Sequence, residues 1–273
     1  MLGIEALPAI IYTLMVLGVP KSPRWLLMKG KDTDLVKTLL QQLNPNLTNV
    51  DTEIDSIRAS FSNIKESFFS GKYNKSISLA FMLAFFNQLS GINFVLYYAP
   101  RIFESAGIAA DNVLGASIPI GIVNLIFTIL GMYLIDRFGR KQLMIIGSIG
   151  YILTLLGVAW AFYTQAEGMM VVLFVALFVG AHAIGQGAVI WVFISEIFPN
   201  SIRDSGMSWG SGTHWVFAFI ITFITPSVLA NFTGTQIFSF FAIMMVLQLI
   251  WVLTIMPETK GVPLEELQKR LTK

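Results

Sequence analysis

Long apolar runs joined by short polar links dominate the chain, and one polar stretch interrupts the rhythm. The apolar segments are Ile4–Val19, Ile77–Tyr98, Leu114–Ile135, Leu143–Tyr163, Met169–Ile194, Ser208–Leu229 and Ile237–Met256. A helix needs about 20 apolar residues to cross ~30 Å of hydrocarbon. The pattern therefore predicts an all-α integral membrane bundle of seven spans. The first contains Pro8, ends at Pro20 and Pro23, and is just long enough if Met1–Gly3 is included. The organisation expected is a span over residues 1–20, a polar helical region over 21–75, a six-span bundle over 76–256 and a tail over 257–273. In the polar region Asp32 is expected to cap a helix with a Leu35, Leu39, Leu40 and Leu43 stripe. Asn44-Pro45-Asn46 breaks it, and Asp51 is expected to cap a second helix burying Ile54, Ile57, Phe61 and Ile64.

The apolar pattern is broken most sharply at Phe85–Pro100, FFNQLSGINFVLYYAP, which holds Asn87, Gln88, Ser90, Asn93, Tyr97 and Tyr98. An unsatisfied amide in an apolar medium costs roughly 2–7 kcal/mol, so these groups must face other helices or a watery cavity. Amides offer donors and acceptors together, and tyrosine adds a flat apolar face, which suits an uncharged polyhydroxylated ligand. They would equally serve as glue between helices. Gln88 and Asn93 lie about 140° apart on a regular helix. They converge on one ligand only if the helix is distorted, which Gly91 and Pro100 permit.

Composition sharpens the picture. The chain is 55% hydrophobic and 12% charged, whereas soluble domains carry about 25% charged residues. A formal charge of +2 gives no argument for nucleic acid. With no cysteine and two histidines, neither a metal centre nor a cofactor is implied, and no His, Cys and carboxylate cluster within the spans suggests an enzyme. Nine Lys/Arg fall in Lys21–Lys75, while the links that alternate with the cytoplasmic ones hold Arg101 alone. The positive-inside rule then makes the polar region, the Asp136–Gln142 link, Arg203 and the tail cytoplasmic. Met1 lies outside with no basic region or cleavage site of a signal peptide behind it, a design that implies further chain upstream.

The cytoplasmic links carry motifs. Asp136-Arg137-Phe138-Gly139-Arg140-Lys141 joins two spans through a glycine turn. Glu196, in Ser195-Glu196-Ile197-Phe198-Pro199-Asn200-Ser201-Ile202-Arg203, can pair with Arg140 or Lys141 and latch the cytoplasmic side. Pro257-Glu258-Thr259-Lys260-Gly261 would do similar work for the tail. The alternative reading is that Arg140 and Lys141 serve only as topology anchors.

With Pro20–Leu27 (PKSPRWLL) and Asn87–Tyr98 (NQLSGINFVLYY), these motifs stand in an order and spacing that resembles the sugar porter family of the major facilitator superfamily. The resemblance covers the whole chain but only the part of a twelve-span carrier from its sixth span onward. It implies a transporter of a hexose or pentose that works by alternating access in a cell membrane, bacterial inner membrane by the wording of the motifs. The partners implied are the sugar, the bilayer, a missing amino-terminal half, and protons as a coupling ion in symport members. By the same resemblance Asn87, Gln88 and Asn93 contact sugar hydroxyls and Tyr97 and Tyr98 gate from outside. Asn124, Trp191, His214 and Trp215 complete the site; His214 is unusual at its position, and its ring either titrates beside the sugar, making transport pH-sensitive, or serves as a neutral hydrogen-bonding group. Arg24, Asp136, Arg140, Lys141, Glu196, Arg203 and Glu258 match the cytoplasmic gate. Two departures matter: Lys21 stands where the family has a carboxylate, and Asn87 replaces a glutamine. A sugar sensor without flux, or a half-size homodimeric carrier, would be built from the same features.

Overall fold

A computed structural model describes residues 6–30, 33–45, 47, 49–60, 67–199, 201–262 and 264–271. It divides into two compact units, Met1–Lys65 and Glu66–Lys273. The expected cap Asp32, and Phe61, Ile64 and Asn46, lie outside the described residues.

In the first unit α1 (Ala6–Leu17) is an apolar helix whose side chains are all exposed, with Pro8 in its first turn rather than interrupting it. Its 12 residues rise about 18 Å, less than a bilayer core. The Ser22 hydroxyl accepts from the Trp25 amide to start α2 (Pro23–Met28). Proline at the first position costs that helix no hydrogen bond. α3 (Thr33–Leu43) and α4 (Val50–Ser60) pack with α2 around Leu26, Val36, Leu39 and Ile54. Two expectations need correction. Leu35 and Leu43 are exposed, because the buried face is centred on Val36 and Leu39. The cap of α4 is Asn49, whose Oδ1 accepts from the Asp51 and Thr52 amides, while Asp51 pairs with Lys37 at 2.7 Å.

The second unit contains six helical stretches long and apolar enough to cross a membrane among the described residues. The first is bent and consists of α5 (Asn74–Leu89) and α6 (Ile92–Ser105). α7 (Ala110–Phe138) and α8 (Arg140–Tyr163) follow. The fourth stretch is α9 (Gly168–His182), a π-helical turn at Ala183–Gly187, and α10 (Ala188–Glu196). α11 (Arg203–Asn231) and α12 (Gly234–Thr254) complete the set, and a short amphipathic α13 (Leu264–Leu271) closes the chain. The first stretch runs past the expected Tyr98 to Ser105, with Pro100 accommodated inside α6. The break between the two helices falls at Ser90 and Gly91.

Two buried clusters divide the unit along its length. One gathers Phe94, Phe103, Tyr151, Phe178 and Phe238. The other gathers Leu83, Phe86, Phe193, Phe198 and Trp251 and takes in Leu267 and Leu271 of α13. α7 and α11 bury only a few of their side chains within the unit, so most of their apolar surface is turned outward. That is the surface expected to meet lipid or further helices.

Candidate functional site

The polar groups converge where the first stretch breaks. Gly91 has φ +84°, a left-handed conformation that favours glycine. The Ser90 hydroxyl stitches the break, donating to the Asn87 carbonyl at 2.7 Å and accepting from the Ile92 amide at 3.3 Å. The bend brings Asn93 back over Gln88, and Asn93 Nδ2 donates to Gln88 Oε1 at 2.9 Å. Gln88 Nε2 donates to Asn87 Oδ1 at 3.0 Å and lies 3.1 and 3.2 Å from the two ring nitrogens of His214 on α11. A neutral imidazole accepts through whichever nitrogen carries no hydrogen. The His214 ring stands between two indoles, 5.1 Å from Trp191 and 5.2 Å from Trp215. Gln88 and Asn87 are buried, Asn93 and His214 half-buried, and both indoles exposed. The result is a polar floor with aromatic walls that opens away from the unit's core.

Six expected residues, Asn87, Gln88, Asn93, Trp191, His214 and Trp215, thus share one cluster. The others stand apart from it in the described contacts. Tyr97 is exposed, and the Tyr98 hydroxyl is engaged by the Thr222 carbonyl at 3.2 Å. Asn124 sits half-buried on α7. A Cβ on Gly91 would lie 2.7 Å from the Phe241 ring. Gly91→Ala combines that clash with a left-handed backbone costing about 1–2 kcal/mol for an L-residue. We expect a melting temperature several degrees lower in detergent and a weakened Gln88–Asn93 bond. An unchanged melting temperature would show that the bend does not require glycine.

A second polar group was not anticipated from the sequence. Gln186, in the π-helical turn, donates through Nε2 to Gln248 Oε1 on α12, and Gln248 Nε2 donates to Ser148 Oγ on α8 at 2.9 Å. The Tyr151 hydroxyl lies 2.6 Å from His182 Nδ1 and 3.5 Å from Gln186 Oε1. All but His182 are buried. Gln186 and Gln248 were the readable signals, each a lone amide in an apolar run. An apolar cavity of about 520 Å³ lies between α6, α11 and α12, lined by Leu89, Phe94, Ile221 and Phe241 among others. Its lining is apolar apart from Thr225, whose hydroxyl donates to the Ile221 carbonyl, and Gln236, whose Oε1 accepts from Thr233.

Charges gather at the opposite ends of α7, α8, α10 and α12. Arg140 grips Glu196 with two bonds, Nη2 to Oε1 at 2.7 Å and Nε to Oε2 at 3.1 Å. Its Nη1 also reaches the Ile135 carbonyl and Asp136 Oδ1, each at 3.3 Å. The Thr259 hydroxyl donates to Glu196 Oε2 at 2.6 Å. Lys141 does not compete for Glu196, since its ammonium caps the Leu253 carbonyl at 3.2 Å. Glu258 accepts from the backbone amides of Arg140, Lys141, Thr259 and Lys260 at 2.9 to 3.0 Å. Burial pushes its carboxyl up, but those donors outweigh burial and hold it below the usual range. Gly139, at φ +89°, leaves the room, because a Cβ there would lie 2.7 Å from Glu258 Oε2. Arg203 Nε reaches the Phe198 carbonyl at 3.4 Å. Arg24 is exposed in the first unit.

Residues 1–271 match the family model described as "Sugar (and other) transporter". The chain is 34% identical over 278 residues to the D-xylose-proton symporter of Escherichia coli (strain K12), covering 98% of this chain and 56% of that one. It is 33% identical to the glucose facilitated diffusion protein of Zymomonas mobilis, covering 97% of this chain and 58% of the relative. Against the arabinose-proton symporter of Bacillus subtilis it is 32% identical, with coverage of 98% and 59%. Among solved structures, XylE, a proton:xylose symporter bound to 6-bromo-6-deoxy-D-glucose, superposes with a TM-score of 0.83 at 33% identity, over 98% of this chain and 57% of that one. The inward open conformation of XylE from E. coli superposes with a TM-score of 0.70 at 32% identity, over 97% and 55%. The chain therefore spans a little over half the length of the relatives it matches.

Proposed function

The chain belongs to the sugar transporter family, and from that premise we propose that it is the carboxyl-terminal part of a membrane carrier for a hexose or pentose. The observation that carries this reading is the cluster of Asn87, Gln88, Asn93 and His214 between two exposed indoles. Neutral amides exchange donors and acceptors with sugar hydroxyls without the cost of burying a charge. Indole faces cover the apolar side of a sugar ring. Asn124, Tyr97 and Tyr98 would join this half-site on closure, and an amino-terminal half of six further spans, of which α1 belongs to the last, would complete it. α2–α4 would then lie on the cytoplasmic side.

Alternating access follows from the same arrangement. The charge cluster of Arg140, Glu196, Asp136, Lys141, Arg203 and Glu258 would hold a state closed toward the cytoplasm. Acidic residues in the six spans lie only near their ends. A coupling proton, as in the symporters among the relatives, would then be carried by a carboxylate outside this chain.

The test is uptake and counterflow of radiolabelled D-xylose and D-glucose by the native protein in proteoliposomes, with and without a proton gradient. We expect saturable flux, and a native mass well above 30.3 kDa. Binding without flux would indicate a sensor, and neither binding nor flux of any hexose or pentose would overturn the reading.

A further inference from the structure

The π-helical turn at Ala183–Gly187 lies four residues before Trp191 and decides which way that indole faces. A π turn holds one residue more than a regular helical turn, so everything after it is set back by one position. One position on a helix is about 100° of rotation. With the turn, α10 buries Val189, Ile190, Phe193 and Ile194 and presents Trp191, 38% exposed, toward His214. Were the segment regular from α9 onward, Ile190 would occupy the place Trp191 now holds, and the indole would turn about 100° away, toward the flank occupied by Val192. The direction of the binding-site tryptophan is therefore a matter of backbone register.

Such a turn needs something to hold it, and it is tied on two sides. Gln186, inside the turn, bonds to Gln248 on α12, which is bonded to Ser148 on α8. His182, the residue just before the turn, meets the Tyr151 hydroxyl on α8 at 2.6 Å. Ser148 and Tyr151 are one helical turn apart, so both ties end on one face of α8. The backbone is pressed against that face as well. A Cβ on Gly185 would lie 2.8 Å from the Gly147 Cα. The amides of Gln186 and Gln248 are buried in a segment that is otherwise apolar. Each is the other's partner, so the turn cannot relax to a regular helix without leaving both to find new ones.

We infer that Gln186 and Gln248 are positioning residues for the binding site: their hydrogen bond holds the π-helical turn that keeps Trp191 facing His214 and Ile190 in the core. The identity of the ligand rests on the reading proposed above; the register does not.

The absence of cysteine from this chain makes the register measurable. In the intact protein, with any cysteine elsewhere replaced, Trp191→Cys and Ile190→Cys are made singly and their reaction rates with a water-soluble thiol reagent are compared. In the otherwise native protein Trp191→Cys should react at least about tenfold faster than Ile190→Cys, as the exposure of the two positions requires. In a Gln186→Leu/Gln248→Leu background the order should invert. That pair removes both partners together and leaves no orphaned amide, so folding is expected to survive. Ser148→Ala, which removes only the outer bond, should move the ratio part of the way. An unchanged ratio in either background overturns the inference. No sugar enters the measurement, so a protein that proves to bind no sugar would sink the functional reading and leave this result standing.

Discussion

Arg140→Ala is expected to destabilise the protein by about 2–3 kcal/mol and to abolish transport. The arginine side chain is 10% exposed and makes four hydrogen bonds, two to Glu196 and one each to Ile135 and Asp136. Removing one partner of a buried ion pair costs about 3–5 kcal/mol, because the charge left behind has no compensation. Glu196 is 30% exposed and keeps the Thr259 hydroxyl, so water and that bond recover part of the loss. Thermal unfolding in detergent reads this term. The gate is a separate claim and needs a variant that spares stability. Glu196→Gln keeps the shape and the hydrogen bonds but discharges one partner. If the pair is a latch, this variant should melt within a few degrees of the wild type. Cysteines introduced on the cytoplasmic side of the cavity should then label faster, because a closed state held by charge would open more often. Arg140→Glu combined with Glu196→Arg should recover part of both properties. If Glu196→Gln changes neither labelling nor uptake, the cluster is a structural staple and a topology anchor, not a gate.

How much of this could be read from residues alone depends on the distance between partners. The broken helix was legible because Gln88, Gly91 and Asn93 lie within six residues, and their convergence is a local question of backbone angle. The pairing of Arg140 with Glu196 was legible as one of two choices. What decided it was the carbonyl of Leu253, which occupies Lys141 and lies 112 residues away. Pro100 lies inside α6 without ending it, because proline lacks only one donor and a helix that loses one bond can continue when its neighbours pack against it. In the polar region Asp51 and Asn49 are both good caps, and the choice fell to which one preceded the first helical residue. The Gln186, Gln248 and Ser148 chain was out of reach for the opposite reason. Each is a single polar residue on a separate apolar helix, and nothing in their spacing marks them as partners. The π turn they hold has no composition of its own.

Gln88→Ala separates the two uses of a membrane amide that the sequence left open. Gln88 is fully buried, and it alone touches Asn87, Asn93 and His214. Leaving buried partners unsatisfied costs about 1–3 kcal/mol, which in affinity is about 5- to 150-fold. If the cluster binds sugar, dissociation constants measured by calorimetry on the purified, folded protein should rise by about that factor. Melting should fall only modestly, since Asn93 is half-exposed and water can replace its lost acceptor. If the amides only join α5, α6 and α11, the order of effects reverses: melting falls by many degrees, while whatever folded protein remains binds sugar as before. Asn93→Ala supplies the second arm. Its Nδ2 donates to Gln88 Oε1, so the two substitutions disturb one unit, and the double variant should lose little more affinity than Gln88→Ala alone. Fully additive losses would mean that the two side chains meet the sugar independently, and that the 2.9 Å bond between them is incidental to binding.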